Sequence, residues 1–408
     1  MVSLSSVAVR HADTGAAIAE LANRCGADQD PAFVCAFYDA DHDDVRLGAF
    51  LRERFPDAAL IGGTSCCGVM TDDGLGGSGS IGLLIVDDVD GNYGTAAVRL
   101  DGDPADCAER ALRAALQDAD CEGELPELIW IYQAPGSEEQ VISGLRRVVG
   151  ERCPIIGGSS ADNEVAGKWR QLGPDGPIAD GLVVAVLFPS AGIGFAFQGG
   201  YEPTGSSGIV TQIGYQAVGD SGVVTRSSGR EILSIDGEPA AAVYNRWIGG
   251  SLDARLADGG NILTDTTMFP LGVDAGRIED VAHYLLIHPD RILANGGLAT
   301  FASVEVGTRV YSMRGDRSRL IERAGKVASA AASTLPGGAA NLAGALIVYC
   351  AGCRLAVGEQ MPEVAQVVGD SLDGHPFIGC FTFGEQGFML DRNAHGNLMI
   401  SAIAFGRG

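Results

Sequence analysis

Three short stretches of this chain share one pattern, and that pattern constrains the fold more than any other feature. Residues 61–68, 156–162 and 378–385 each end an apolar, β-branched run and continue into glycine and small hydroxyl or thiol residues. Glycine lets the backbone come close to another group, and Ser, Thr and Cys offer polar atoms at the same place. We therefore expect three buried strands whose ends meet around one ligand site.

The residues around these stretches follow a common order of strands and helices. Phe37 and Gly62 are as far apart in the sequence as Tyr132 and Gly157. Self-similarity at this length predicts one supersecondary unit that is used three times. Apolar periodicity that alternates between strand and helix predicts an α/β fold of mixed sheets, built from three strand-helix-strand-helix-strand-strand units. In such folds ligands bind beyond the carboxyl ends of the strands, where the three stretches lie.

A segment of different character separates the second unit from the third. Residues 190–307 are rich in glycine, and turn signals at Ser228-Gly229 and Asp236-Gly237 lie between or beside apolar runs. These signals are typical of β-hairpins. We therefore predict a hairpin-rich insertion and two domains, with units one and two in residues 1–222 and the insertion plus unit three in residues 223–408.

Charge and composition exclude several classes of partner. The chain of 408 residues carries 28 basic and 52 acidic side chains, for a net charge of −24, which repels nucleic acid and anionic lipid. The first residues lack the pattern of a signal peptide, and Pro189 with several glycines breaks the apolar window 181–200 into strand-turn-strand. We expect a soluble, cytoplasmic protein whose ten cysteines are thiols or metal ligands.

Four cysteines form a candidate metal site. Cys350 and Cys353 are spaced C-x-x-C between a predicted strand and a predicted helix, where the helix N-terminus favours the thiolate. Cys66 and Cys380 follow the matching strands of units one and three. Four thiolates suit an iron–sulfur cluster or zinc. The alternative is that cysteine acts as a small buried hydrophobe, which we expect of Cys25, Cys35, Cys107, Cys121 and Cys153.

Polar residues at the strand ends form a candidate ligand site, and we predict that it comprises Thr64, Ser65, Ser159, Ser160, Asn163, Arg354, Thr382, Gly384 and Glu385. Arg354 suits a carboxylate and Glu385 an ammonium group, which together would recognise an amino acid. The alternative is that these two side chains form an ordinary ion pair. Asn163, with Asp162, is either a polar wall of the site or part of a turn.

The chain resembles the FIST family of bacterial sensory domains over almost its whole length. The resemblance rests on residues 61–65 and 156–160 in the N-terminal part, and on residues 235–240, 350–354 and 381–385 with Tyr244 in the C-terminal part. It implies a sensor that binds a small ligand, with amino acids as one proposal, and that signals to a histidine kinase, a cyclase or a similar protein. No output module is visible, so the partner is expected to be a separate chain.

The resemblance also implies a second function. Some stand-alone FIST proteins resemble nitric-oxide or redox sensors that carry haem or an iron–sulfur cluster and regulate a histidine kinase. His288, after an apolar run and before Pro289, is the histidine best placed for a haem, although a core histidine is the alternative. A thiol-dependent enzyme that uses Cys350 or Cys353 is the third alternative. Motifs of metalloproteases, of nucleotide-binding loops and of the nucleophile elbow are missing from the sequence.

Overall fold

The computed structural model describes residues 1–26, 30–198, 201–203, 215–278 and 281–408. The fold is mixed α/β, as predicted. The described residues form three sheets of six strands and one sheet of ten. No helix in these ranges is both long enough and apolar enough to span a membrane.

The first half of the chain contains two runs of elements in the same order. The first run is β1 (Ser3–Arg10), α1 (Thr14–Arg24), β2 (Phe33–Tyr38), α2 (Asp44–Arg54), β3 (Ala59–Thr64), β4 (Met70–Thr71), β5 (Gly74–Leu75) and β6 (Ser80–Asp87). The second run is β7 (Asn92–Arg99), α3 (Pro104–Asp118), β8 (Leu128–Gln133), α4 (Glu138–Val149), β9 (Ile155–Ser159), β10 (Gln171–Gly173), β11 (Gly176–Ile178) and β12 (Gly181–Phe188).

The remaining residues contain the insertion and the last run of elements. β13 (Ile193–Gln198) precedes the insertion, which contains β14 (Tyr201–Pro203), β15 (Tyr215–Ser228), β16 (Glu231–Ile235), β17 (Glu238–Pro239), α5 (Ala240–Trp247), β18 (Gly260–Asn261), α6 (Leu263–Thr266), β19 (Leu271–Ile278), β20 (Val281–Ile287), β21 (Pro289–Ile292), β22 (Leu298–Thr300) and β23 (Arg309–Gly315). The last run is α7 (Arg317–Ser333), β24 (Leu342–Cys350), α8 (Ala351–Val357), α9 (Met361–Ser371), β25 (Phe377–Thr382), β26 (Glu385–Met389), β27 (Arg392–Gly396) and β28 (Ile400–Gly406).

Aspartate caps start most of the long helices. The side chains of Asp13, Asp43 and Asp103 each accept a hydrogen bond from a backbone N–H in the first turn of α1, α2 and α3, and Asp316 does the same for α7. Such a cap satisfies an N–H group that has no partner inside the helix. α4 is different, because Ser137 makes no side-chain cap and two glutamates, Glu138 and Glu139, occupy its first turn.

The three six-stranded sheets place equivalent strands in the same order. The orders are β1-β6-β2-β3-β10-β11, β7-β12-β8-β9-β26-β27 and β13-β28-β24-β25-β4-β5. In each sheet the two strands that lead toward a glycine stretch, such as β2 and β3, run parallel, so their carboxyl ends lie at one edge. The sequence stretches that predicted the site therefore occupy the same position in each sheet.

Each of these sheets is completed by a hairpin from elsewhere in the chain. The hairpin β4–β5 pairs with β25 in the third sheet, β10–β11 pairs with β3 in the first, and β26–β27 pairs with β9 in the second. Each hairpin covers the open edge of a strand that ends in glycine. Edge strands are otherwise templates for unwanted pairing.

The inner faces of the three sheets pack on one another. Their shared core contains Phe37 from the first sheet, Trp130 and Tyr132 from the second and Ile378 from the third, all with no exposed surface. The helices lie outside, with α1 and α2 on the first sheet, α3 and α4 on the second, and α7 and α9 on the third. The strand ends are thus held between three packed layers.

The start of the third unit differs from the one predicted from the sequence. The strand expected to open the third unit, β23, instead belongs to the ten-stranded sheet, and β13 takes that place beside β28. The insertion therefore interrupts the third run after its first strand. The predicted domain division at residue 222 falls inside β15. β12 and β13 are the strands of the strand-turn-strand predicted in residues 181–200, of which residues 199 and 200 lie outside the described residues.

Candidate functional site

The three strand ends meet and are joined by a ring of backbone hydrogen bonds. The N–H of Ala161 donates to the carbonyl of Thr64 at 3.2 Å, and that of Cys66 donates to Phe381 at 3.1 Å. The N–H of Phe383 completes the circle by donating to Ser159 at 3.0 Å. We call these six residues the strand-end ring. In this ring the second stretch donates a hydrogen bond to the first, the first donates to the third, and the third donates to the second.

The predicted hydroxyl residues lie at the ring, but they are buried and already bonded. Ser65 donates to the carbonyl of Gly68, and its oxygen accepts from the N–H of Phe381 at 2.8 Å. Thr64, Ser160 and Thr382 likewise each have a hydrogen-bond partner and at most 1 % exposure. Their hydroxyl groups therefore hold the strand ends together. Only Ser159 also borders the group of polar side chains described next.

A group of polar side chains, most of them buried, lies on the helix-facing side of the second sheet. We call it the polar cluster, and it consists of Gln133, Glu138, Glu139, Ser159, Arg230, Gln386 and His395. The Ser159 hydroxyl donates to Glu138 at 2.7 Å, and Nε2 of Gln386 lies 3.4 Å from the same hydroxyl. Gln133 pairs with Ser159 in the sheet register, so both side chains point to the same face.

Arg230 connects the polar cluster to the insertion. It lies in the turn between β15 and β16, and its guanidinium contacts Glu138 at 2.5 Å and Glu139 at 2.7 Å. Glu139 also accepts from the N–H of Ser303 at 2.9 Å and lies 3.3 Å from Nδ1 of His395. The two glutamates that begin α4 therefore bind two separate loops of the insertion.

The charges of the polar cluster compensate one another. Burial alone would raise the pKa of Glu138, but His395, Arg230 and the Ser159 hydroxyl together hold it below its usual range. The pKa of Glu139 is also lowered, since His395 and Arg230 outweigh its burial. Burial tends to lower the pKa of Arg230, but both carboxylates raise it further. The two glutamates and Arg230 are all charged in the folded protein.

Several polar atoms of the cluster have no hydrogen-bond partner among the described residues. Both amide atoms of Gln133 are unpaired, as are Oε1 of Gln386 and Nε2 of His395. Gly384 lies against one of these atoms and two other atoms of the cluster, because a Cβ there would be 2.7 Å from Nε2 of His395, 3.2 Å from Oγ of Ser159 and 3.3 Å from Oε1 of Glu138. The absence of a side chain at Gly384 therefore leaves a point on which polar atoms of three elements converge.

Glu385 and Arg354 are placed differently from the prediction. Glu385 is fully buried, accepts from Thr382 at 2.7 Å and from the N–H of Met399 at 3.0 Å, and makes no ion pair with Arg354 in the described part of the chain. Burial, with Cys350 nearby, raises its pKa well above the usual range, so the carboxyl is held protonated. Arg354 instead stacks over Phe381 at 5.0 Å and donates to the carbonyl of Cys67 at 3.3 Å.

Substitution of Glu385 tests this assignment. Because the folded-state pKa is raised, the contribution of Glu385 to the free energy of unfolding is highest below pH 4.3, where the unfolded carboxyl is also protonated, and falls as pH rises toward the folded pKa. We expect Glu385→Gln to lack this loss, which amounts to about 1.4 kcal/mol per pH unit in that window. Urea unfolding between pH 5 and pH 8 measures it, with exposed Glu305→Gln as control. Parallel pH curves for the wild type and Glu385→Gln would refute the protonated carboxyl.

Asn163 lies at the rim of the ring, where it accepts from the N–H of Cys67 at 2.6 Å and donates to Asp39 at 2.9 Å. Asp162 accepts from the backbone N–H groups of Glu164, Ala166 and Lys168, so it orders the following loop. Asp162 therefore forms the turn, and Asn163 links the backbone of Cys67 to Asp39.

The four cysteines predicted to bind metal do not form a ligand set. Cys380 faces the shared core beside Cys35, whereas Cys66, Cys350 and Cys353 pack toward α7 and α9. Burial raises the pKa of Cys350 well above its usual range, so burial outweighs the effect of the helix N-terminus that favoured the thiolate. Among the described residues, only Glu138, Glu139 and His395 bring three ligand-type atoms within 4.8 Å of one another. The four cysteines therefore do not provide the set of thiolate ligands that an iron–sulfur cluster needs.

A haem is not supported either. His288 is 3 % exposed, and burial lowers its pKa to about 4, as in an ordinary core histidine. A surface groove of about 530 Å³ lies between α7 and α9, and one of about 410 Å³ lies between α9 and the β4–β5 hairpin. Neither groove is lined by His288 or by the polar cluster. The thiol-enzyme alternative also lacks support, since Cys353 has no exposed surface.

The sequence prediction missed the polar cluster. Glu138 and Glu139 carried the signal, as two acidic residues at a helix start that directly follows the strand end at Gln133. That pattern is also an ordinary helix N-terminus, so it did not stand out. Arg230 and His395 had no signal, because they reach the cluster only through the fold.

Comparison with known proteins gives the family. The model of the FIST N domain matches residues 32–213, and the model of the FIST C domain matches residues 240–388. No curated protein matched the sequence. A crystal structure of cyanuric acid hydrolase from A. caulinodans aligns over 100 % of both chains, with 9 % sequence identity and a TM-score of 0.35. At that similarity the alignment says nothing about the ligand or chemistry of this chain.

Proposed function

The chain belongs to the FIST family, whose domains are sensory domains of signal transduction, and from this premise we propose that it binds a small polar molecule at the polar cluster and reports the occupancy of that site to a separate signalling protein. Its partner would be a histidine kinase, a cyclase or a similar protein. The ten free cysteines fit a reducing compartment such as the cytoplasm.

The unpaired atoms of the polar cluster are the observation that carries this proposal. A buried polar group without a partner costs about 1–3 kcal/mol, and native proteins leave few of them. Gln133 contributes two such atoms, and Gln386 and His395 contribute one each. A ligand that binds these atoms would recover their hydrogen bonds. The cluster also lies beyond the end of β8, where an α/β sheet binds its ligands.

The charges of the cluster favour a ligand with both an anionic and a cationic or amide group. Arg230 suits a carboxylate, and Glu138 and Glu139 suit an ammonium group. Free amino acids and their amides have this chemistry. In the present structure Arg230 is bound to both glutamates, so the ligand would exchange these contacts for its own.

This exchange provides a route for a signal. Glu138 and Glu139 belong to the part that matches FIST N, whereas Arg230 and Ser303 lie in loops of the insertion. A ligand that replaces Arg230 or Ser303 as a partner of the glutamates changes the free-energy difference between two states. In one state the insertion loops are attached to α4, and in the other they are released. The ligand can shift that equilibrium only by the difference between its affinities for the two states. A signalling partner that contacts the insertion would detect the change.

Thermal unfolding in the presence of a panel of amino acids, amino-acid amides and small carboxylates tests the proposal. A ligand at a concentration of 100 Kd adds about 2.7 kcal/mol to the free energy of unfolding. We expect at least one zwitterionic compound to raise the Tm. Unchanged Tm values across the panel, with isothermal titration calorimetry also silent, would count against a site of this chemistry.

Gln133→Leu separates a binding role from a structural one. Because both amide atoms are unpaired, we expect the variant without ligand to be as stable as the wild type or up to about 2 kcal/mol more stable. It should nevertheless lose the rise in Tm with the ligand. Gln171→Leu is the matched control, since Gln171 is equally buried but bonds Ser160 and the N–H of Gly181. That variant should be less stable by about 1–3 kcal/mol. A destabilised Gln133→Leu that still binds the ligand would contradict the proposal.

A further inference from the structure

Two neighbouring cysteines, Cys66 of the strand-end ring and Cys67 at its rim, lie outside the polar cluster. The Sγ atoms of Cys66 and Cys67 are 3.8 Å apart and share a hydrogen bond. Cys66 is 3 % exposed, whereas Cys67 is half-buried and so reachable from solvent. Each of the other eight cysteines is buried. Cys67 is therefore the most accessible thiol of the chain.

The surroundings of Cys67 favour its thiolate. The S–H of Cys66 donates to it, Arg354 adds positive charge, and the Ser78 hydroxyl gives a further hydrogen bond. Burial and Asp39 act in the opposite direction, but the balance lowers the pKa of Cys67 to about 6. The pKa of Cys66 is raised, first through the same hydrogen bond and then by burial. One thiol of the pair is thus a nucleophile and the other remains a proton donor.

The backbone at Cys67 is unusual as well. Its φ is 55°, in the left-handed region that glycine and asparagine occupy most readily. The conformation is held from both sides, because Asn163 binds the N–H of Cys67 and Arg354 binds its carbonyl. Strained backbone of this kind is concentrated at functional sites. It presents the Cys67 thiol beside Cys66 at the rim.

We propose that Cys67 is a modification site at which a hydroperoxide is reduced, and that Cys66 then closes the oxidised product as a disulfide between the two neighbouring residues. The Cys67 thiolate attacks one oxygen of ROOH, the O–O bond breaks, and the alkoxide takes a proton to leave as ROH. The Cys66 sulfur then attacks the sulfenic acid of Cys67. The S–S bond forms, the S–O bond breaks, and the oxygen leaves as water with the Cys66 proton.

Oxidation of this pair would alter hydrogen bonds at the centre of the fold. The N–H of Cys66 is a donor in the strand-end ring, and the backbone of Cys67 binds Asn163, which follows the second stretch, and Arg354 of α8. To bond, the two sulfurs must move from 3.8 Å to about 2.05 Å. A dithiol reductant would reverse the change.

The test uses the reduced full-length protein with hydrogen peroxide, a dimedone probe and peptide mass spectrometry. In the wild type we expect the Cys66–Cys67 peptide to lose two hydrogens and to regain them with dithiothreitol. Cys66→Ala should stop at a sulfenic acid that dimedone traps on Cys67. Cys67→Ala should consume peroxide at least about 10-fold more slowly, with an unchanged Tm as the control for folding.

Alkylation by iodoacetamide gives an independent readout of the Cys67 environment. The rate should reach half its plateau near pH 6 in the wild type, and that midpoint should rise in Cys66→Ala and in Arg354→Gln. Cys66→Ser keeps a hydroxyl donor and should restore much of the low midpoint. The proposal is overturned if the midpoint lies near the ordinary thiol value of about 8.5. It is also overturned if peroxide oxidises another cysteine first, or if Cys67→Ala consumes peroxide as fast as the wild type.

Discussion

Gly62→Ala is expected to leave little or no folded protein. A Cβ on Gly62 would lie 1.7 Å from the carbonyl oxygen of Ala36, which belongs to the neighbouring strand of the same sheet. That oxygen is part of the backbone between packed layers, so it cannot move aside as a flexible side chain would. We expect a loss of more than about 4 kcal/mol in the free energy of unfolding. Soluble yield, circular dichroism and urea unfolding measure it.

Gly369→Ala is the matched control for this prediction. Gly369 lies in α9, and a Cβ there would meet only the ring of Phe377 at an ordinary 3.8 Å. Alanine is favoured over glycine inside a helix by about 1 kcal/mol, so this variant should be as stable as the wild type or more stable. Similar behaviour of the two variants would mean that β2 and β3 are not packed as described.

Arg230→Gln is expected to cost about 3 kcal/mol in the free energy of unfolding. The change removes the guanidinium that pairs with the carboxylate of Glu138, of which only 3 % of the side chain is exposed, and leaves that carboxylate with His395 and the Ser159 hydroxyl. Removing one partner of a buried ion pair is expensive. The lowered pKa of Glu138 stabilises the wild type above the unfolded pKa, and this contribution is lost as pH falls. The difference between wild type and variant should therefore be largest near pH 7 and should shrink below about pH 4.3.

Arg246→Gln controls for the removal of an arginine as such. Arg246 also bonds a glutamate, Glu238, but both side chains are more than half exposed. Exposed pairs contribute about 0–1 kcal/mol, so we expect a small change and a flat dependence on pH. Equal losses for Arg230→Gln and Arg246→Gln would contradict the assignment of Glu138 as a buried charge. The same two variants separate loss of ligand binding from a general effect on charge.

The sequence predicted the mixed α/β class of the fold, because local signals specify strands and helices. Asp13, Asp103 and Asp316 cap helices as the sequence patterns indicate, and the glycine stretches end strands. It did not predict which strand belongs to which sheet. β13 and β23 are both short alternating strands, and only their partners distinguish them. Partner choice depends on packing across the whole molecule, which no local pattern records.

The meeting of the glycine stretches was predicted from the sequence, but the hydrogen bonds of their side chains were not. The glycine stretches do meet, yet Ser65 and Thr382 use their hydroxyl groups within the fold and have none left for a ligand. The hydrogen-bond state of a hydroxyl cannot be derived from the residue type, because it depends on neighbours distant in the sequence. Gln133 illustrates the reverse case. It resembles any polar residue at a strand end, and only the fold shows that its amide is unpaired.

Each six-stranded sheet is completed by a hairpin from elsewhere in the chain, and this has a consequence for how the chain can be divided. Residues 1–222 expressed alone would lack β26–β27, and β9 would lose the edge partner that it has in the intact fold. Residues 223–408 alone would lack β4–β5 and leave β25 uncovered in the same way. Neither half contains a complete set of sheets, so the two are expected to melt in a single transition and to aggregate when separated. We therefore expect proteolysis, truncation or gene fusion to destabilise both parts when it separates residues 1–222 from residues 223–408.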